Sequence, residues 1–166
     1  MRIVGDHLAK VAEKSGDVAQ FDPFGRSAFN RYYYSAFLAV RAALRKIDNK
    51  WASPSHKAVP EVLKGDVLTR LKHQIRKSQS NGQITESEGM RLFHAAQTAA
   101  SELSNLLSSA RETRRVADYE PEQLVQKSGS VITLGECSLD TAKAWERRVE
   151  TQTKTILRVY GDLGLI

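Results

Sequence analysis

Three short clusters hold most of the side chains able to do chemistry. They are Asn30-Arg31-Tyr32-Tyr33-Tyr34-Ser35-Ala36-Phe37, Ser55-His56-Lys57-Ala58-Val59 and Arg111-Glu112-Thr113-Arg114-Arg115-Val116-Ala117-Asp118-Tyr119. Arginine offers a planar fork of donors that fits phosphate. An imidazole can move a proton near neutral pH. A tyrosine can stack or donate. Together these types suit an anion, and Arg31, Tyr34, His56, Arg114, Arg115, Asp118 and Tyr119 are the candidate binding residues for RNA or a nucleotide, with Asp118 orienting an arginine. Plainer readings stand beside each. Tyr33 and Phe37 share one helical face and read as core. Arginines near a helix C-terminus complement its dipole without any ligand. Ser55 or His56 can cap a helix. Arg31, next to a core face, needs an acidic or phosphate partner if it is buried.

Other chemistries lack their spacings. There is no His-Glu-x-x-His, no Cys-x-x-Cys and no glycine-rich phosphate loop. His7, His56, His73 and His94 are widely separated, so no metal site and no cofactor are expected. Cys137 is the one cysteine. It precedes a predicted helix start, which mildly favours a thiolate, but no partner base is identifiable, and it reads as an unreactive thiol near a loop. A chain without a possible internal disulfide suits a reducing compartment. With no apolar run of the ~20 residues a membrane span needs and no secretion signal, the expectation is a cytoplasmic protein off the membrane.

The elements that must position these clusters are helical. The chain has 166 residues, 25 Lys+Arg and 19 Asp+Glu, a net charge of +6, and 41% hydrophobic residues. This excludes a disordered or collagen-like chain and fits one domain with a real core. The positive excess favours an anionic partner modestly. Apolar spacing predicts a helix over about Arg2–Val18, with Ile3, Leu8, Val11 and Ala12 inward, ended by Gly16 and Asp22-Pro23. A second runs from Ser27 to Ile47 through Phe29, Tyr33, Phe37, Val40 and Leu44. Asp48–Pro60 reads as a loop, with short helices over Val59–Leu63 and Asp66–Lys77. Asn81-Gly82 marks a turn. Thr85 and Glu88 have capping-box spacing and open a long helix, with Met90, Phe93, Ala96, Ala100, Leu103, Leu107 and Ala110 on its apolar side, to about Val116. Its alanines, Ala95, Ala96, Ala99 and Ala100, would admit a close neighbour. Val131–Leu134 is apolar but reads as too short and isolated for a sheet. Ser138 caps a last helix through Ala142, Trp145, Val149, Ile156, Leu157 and Tyr160. The sum is an all-α bundle of four main helices with short extra pieces, divided into an N-terminal helical extension, 1–23, and a bundle, 24–166.

In this order and on these helices, the three clusters resemble the HEPN superfamily, and its small stand-alone members most. Their pattern is Ser-Arg-x-Tyr-Tyr-Ala-x-Phe, then Ser-His, then Arg-x-x-Ala-Asp-Tyr. Here Asn30 replaces the serine and Ser35 the alanine, Ser55-His56 is unchanged, and Arg114, Ala117, Asp118 and Tyr119 are kept. The likeness covers roughly Phe24 to Leu157, including Ala142 and Ala144 of the closing helix. It implies an antiparallel four-helix bundle that dimerises, found in toxin–antitoxin pairs and antiphage defence, where many members are metal-independent endoribonucleases. Their signature is Arg-x4-6-His, the histidine acting as acid and base. No histidine follows Arg114 or Arg115 in this chain, and the one Arg-x4-His, Arg2 to His7, lies at the N-terminus. Near pH 7 a carboxylate is ionised and a phenol neutral, so Asp118 and Tyr119 are poor substitutes for an imidazole.

Three functions follow. The first is a non-catalytic subunit that binds RNA or a nucleotide through Arg31, Arg114, Arg115 and Tyr119. It would work with a cognate partner, an antitoxin nucleotidyltransferase or a defence effector. The second is a metal-independent endoribonuclease toxin with a non-standard site built on His56 or Tyr119. The third is a structural adaptor bundle in which the tyrosines are core and the arginines surface. Arg70, Lys72, His73, Arg76 and Lys77 form a further basic surface, read first as a solvated face.

Overall fold

Side-chain oxygens start two of the long helices where their spacing placed them. Thr85 Oγ1 accepts from the Glu88 amide at 3.2 Å, and Glu88 Oε2 accepts from the Thr85 amide at 2.8 Å. This reciprocal cap opens helix α5, Glu86–Tyr119. Ser138 Oγ accepts from the Thr141 amide at 3.1 Å and opens α6, Leu139–Asp162. The computed structural model describes residues 1–166 apart from the side chain of Val18. Helix accounts for 76% of it, which makes the chain all-α in class. The remaining helices are α1 (Arg2–Lys14), α2 (Val18–Ile47), α3 (Ala58–Val62) and α4 (Leu68–Ser80). A single π-type turn over Leu63–Val67 joins α3 to α4.

The structure corrects three expectations. First, α2 begins at Val18 rather than Ser27 and runs through Pro23. Asp17 provides the start: its Oδ1 accepts from Ala19 N at 2.9 Å and its carbonyl from Phe21 N at 2.9 Å. The bond that Pro23 cannot donate would have gone to the carbonyl of Ala19, an exposed residue where water can take it. Second, Val131–Leu134 is not isolated. It is the middle strand, β2, of an antiparallel sheet with β1 (Gln126–Ser128) and β3 (Cys137–Ser138). Both turns have two residues and a leading glycine in the left-handed region, Gly129 at φ 60° and Gly135 at φ 58°. Such turns match the twist of short antiparallel strands. Third, Ile3 and Met90 do not face inward; they are 84% and 54% exposed.

The chain divides into two compact units: Met1–Leu38 with Leu107–Arg148, and Ala39–Leu106 with Val149–Ile166. In the first, the buried side chains include Phe29, Tyr32, Tyr33, Phe37, Ile132, Leu134, Leu139 and Trp145. Tyr33 and Phe37 are stacked at 6.0 Å, as their core reading requires. Two buried hydroxyls are satisfied by carboxylates: Tyr32 donates to Asp6 Oδ1 at 2.9 Å, and Ser35 to Glu146 Oε1 at 2.8 Å. In the second unit, Val40, Leu44, Leu63, Val67, Leu71, Leu103 and Val149 are buried, as are Ala96, Ala99 and Ala100. Tyr160 donates its hydroxyl to the Val67 carbonyl at 2.8 Å. Burial raises the pKa of both Tyr32 and Tyr160, with the bond to Asp6 adding to the effect at Tyr32.

Candidate anion-binding site

Within the first unit, α2 and the last turns of α5 bring together Asn30, Tyr34, Arg114, Asp118 and Tyr119. Helical spacing does the local work: Asn30 and Tyr34 are four residues apart, and so are Arg114 and Asp118. Asp118 Oδ2 lies 2.7 Å from Arg114 Nε, and its Oδ1 accepts from Asn30 Nδ2 at 2.6 Å. The carboxylate thus ties the two helices together. The ion pair is close but not well aligned, and the Arg114 Nε–H has no directed acceptor. Two rings flank the guanidinium, with centroids 5.8 Å (Tyr34) and 5.4 Å (Tyr119) from its central carbon. The Tyr34 hydroxyl also accepts from Arg114 Nη2 at 3.4 Å. Burial opposes the charge on Arg114, but Asp118, Tyr34 and Tyr119 outweigh it and hold its pKa above the ordinary value. Tyr119 is 66% exposed, so one face of this stack is open to a ligand.

The other candidates are placed differently. Arg115 pairs with Glu112 at 2.7 Å and Glu120 at 2.5 Å, hydrogen bonds that raise its pKa further. Its charge is therefore met by two carboxylates. Arg31 is half-buried; its Nη1 lies 3.9 Å from Met1 Sδ, and it has no ion pair among the described residues. His56 belongs to the second unit. Beside it, Ser55 Oγ accepts from Ala58 N at 3.2 Å, the capping role its position suggested. Cys137 is half-buried on β3, and burial pushes its thiol pKa up, opposed by a hydrogen bond with Thr113. An inert thiol fits that setting.

Two arginines matter more than their sequence positions suggested. Arg26 pairs with Asp22 at 2.8 Å and donates to the carbonyls of Val116, Ala117, Glu120, Pro121 and Gln123. Asp22 Oδ1 in turn accepts from Val125 N at 2.7 Å. The cation at the C-terminus of α5 is therefore an arginine of α2, which positions the turn bearing Asp118 and Tyr119. The Asp22/Arg26 spacing of four was visible in the sequence; the long-range carbonyls were not. The second is Arg111, one turn before Arg114. It is exposed, has no ion pair among the described residues, and acts with Arg114 to lower the pKa of Tyr33, which burial nonetheless pushes up to about 12.

The residues gathered around Arg114 can hold and orient an anion, stack on a ring and donate hydrogen bonds. The first unit has one histidine, His7, an exposed residue of α1. Among the described residues no group of three or more His, Cys, Asp or Glu could hold a metal ion. No helix is long and apolar enough to cross a membrane. No family model, characterised protein or solved structure matches the chain.

Proposed function

We propose that the chain is a non-catalytic, HEPN-like subunit that binds RNA or a nucleotide through the Arg114 site. The observation that carries this reading is the Arg114 guanidinium over the rings of Tyr34 and Tyr119 and paired with Asp118. A fixed guanidinium beside an exposed ring suits a phosphate next to a base: the cation meets the phosphate and the ring takes the base face. Arg111 and Arg31 supply charge that forms no ion pair among the described residues. Arg115, by contrast, serves the fold. Within the first unit no imidazole has a hydrogen bond or ring contact with this group, which favours binding over cleavage.

The ordered likeness of the three clusters to HEPN proteins supplies the rest. On that likeness, residues 24–166 form an antiparallel four-helix bundle and 1–23 an extension. The protein is a cytoplasmic homodimer of a toxin–antitoxin or antiphage defence system, acting with a cognate partner protein.

Fluorescence anisotropy with a labelled single-stranded RNA and a labelled adenine nucleotide tests the reading. At least one probe should bind, with affinity that falls steeply as salt rises. The Arg111→Ala/Arg114→Ala variant should lose about tenfold or more in affinity. Binding unchanged in that variant would refute the site.

A further inference from the structure

Helix α4 carries Arg70, Lys72, His73, Arg76 and Lys77 and no acidic residue. Arg70 is engaged, 2.7 Å from Asp48 Oδ2 and over the ring of Trp51. Lys72, Arg76 and Lys77 have no ion pair among the described residues. Lys72 and Arg76, one turn apart, edge a groove of about 420 Å³ between α4 and the start of α5. Ile75, Met90 and Phe93 give it an apolar lining, and His94 stands on the α5 side. The two helices approach closely at Gly89: a Cβ there would meet Ile75 Cγ2 at 2.9 Å and collide with Gln79 Nε2. Any larger residue there would have to displace these two side chains.

We propose that the α4–α5 groove docks an acidic amphipathic helix of a partner protein. Charge complementarity comes first. Uncompensated cations along one edge of an apolar slot call for carboxylates flanking an apolar stripe. The lining then separates a protein helix from a nucleic acid. Nucleic acids bind such surfaces by stacking bases on open aromatic faces. Here Ile75 and Met90 present no stacking face, and Phe93 is half-buried and lies edge-on to His94 at 6.4 Å. Met90 is 54% exposed, and its flexible thioether can adapt to leucine-like side chains. On α4 the groove runs from Lys72 to Gln79, about 10 Å, enough to face roughly two turns of a partner helix. Glu86 lines the same groove, so the partner's carboxylates gain most where they lie over Lys72 and Arg76. This surface lies wholly within the second unit and stands independently of the RNA or nucleotide reading.

The test uses the full chain and a labelled helical peptide of about 15 residues, with leucines at i, i+3, i+4 and i+7 and glutamates on both flanks. A peptide with lysine in place of each glutamate and a single-stranded RNA serve as competitors for the assignment. The acidic peptide should bind and the lysine peptide should bind about tenfold more weakly or worse. Lys72→Glu/Arg76→Glu and Met90→Glu should each cost about tenfold or more, while Arg158→Glu, an exposed change on α6, should leave affinity unchanged. Thermal unfolding of the variants should match the parent, because the altered side chains are exposed. No binding of the acidic peptide, equal binding of the lysine peptide, or RNA binding abolished by Lys72→Glu/Arg76→Glu without peptide binding would each overturn the proposal.

Discussion

The arginines of the first unit and the basic residues of α4 in the second carry the same formal charge in opposite circumstances. Arg26, Arg114 and Arg115 are each met within the unit by carboxylates, carbonyls or rings. Lys72, Arg76 and Lys77 have no acid on their own helix and no ion pair among the described residues. An arginine near a helix end therefore says little about a ligand until its internal partners are counted. In the first unit that count leaves Arg31 and Arg111 unmet, with Arg114 fixed in place as an anchor. In the second it leaves nearly the whole basic face of α4 outward and unmet, which suits recognition of an acidic partner more than support of the fold.

Several substitutions would break or sharpen this contrast. The largest effect should come from Arg26→Ala. It strips several carbonyls and leaves the Asp22 carboxylate, 18% exposed, without its partner. Urea denaturation should show a loss of about 3 kcal/mol or more, and a loss within about 0.5 kcal/mol would put Arg26 among ordinary surface residues. Arg114→Ala comes next. It removes one ion pair and two cation–ring contacts, and should cost about 1–2 kcal/mol in the same assay. Arg76→Ala, on the other side of the contrast, should change stability by no more than about 0.5 kcal/mol. Equal costs for Arg114→Ala and Arg76→Ala would erase the distinction. The smallest effect concerns Cys137. Burial raises its pKa, so at a given pH below that value less thiolate is present than on a free thiol. Alkylation by iodoacetamide should follow a pH profile whose midpoint lies above the ~8.5 of an unperturbed cysteine. A midpoint below that value would mean an activated thiol.

Local rules made much of the helical framework legible. The Thr85/Glu88 box and the Ser138 cap are contacts within one turn, and both form as their spacing requires. The stacked Tyr33 and Phe37 follow from a single helical face. What was not legible depends on partners distant in sequence or on two weak cues acting together. The sheet is the clearest case. Gly129-Ser130 and Gly135-Glu136 are two-residue turns spaced for a three-strand meander, but each strand is too short to show alternation. Pro23 alone predicts a stop because proline breaks helix interiors; the cap at Asp17 and the exposed Ala19 let α2 continue. The Arg114–Asp118 ion pair was legible, because the two residues are one helical turn apart. Arg115 looked equivalent to Arg114, and its neutralisation depends on Glu120, which follows the last residue of α5.

The measurement that tests the central claim most directly is incubation of the purified chain with a labelled single-stranded RNA in excess EDTA. Retention and cutting are followed together, with Arg111→Ala/Arg114→Ala alongside. The account predicts RNA left uncut by the parent, and the RNA or, in a parallel sample, a labelled adenine nucleotide retained by the parent and released by the variant. Cuts made by the parent and abolished in the variant would contradict it and establish a metal-independent ribonuclease at the Arg114 site.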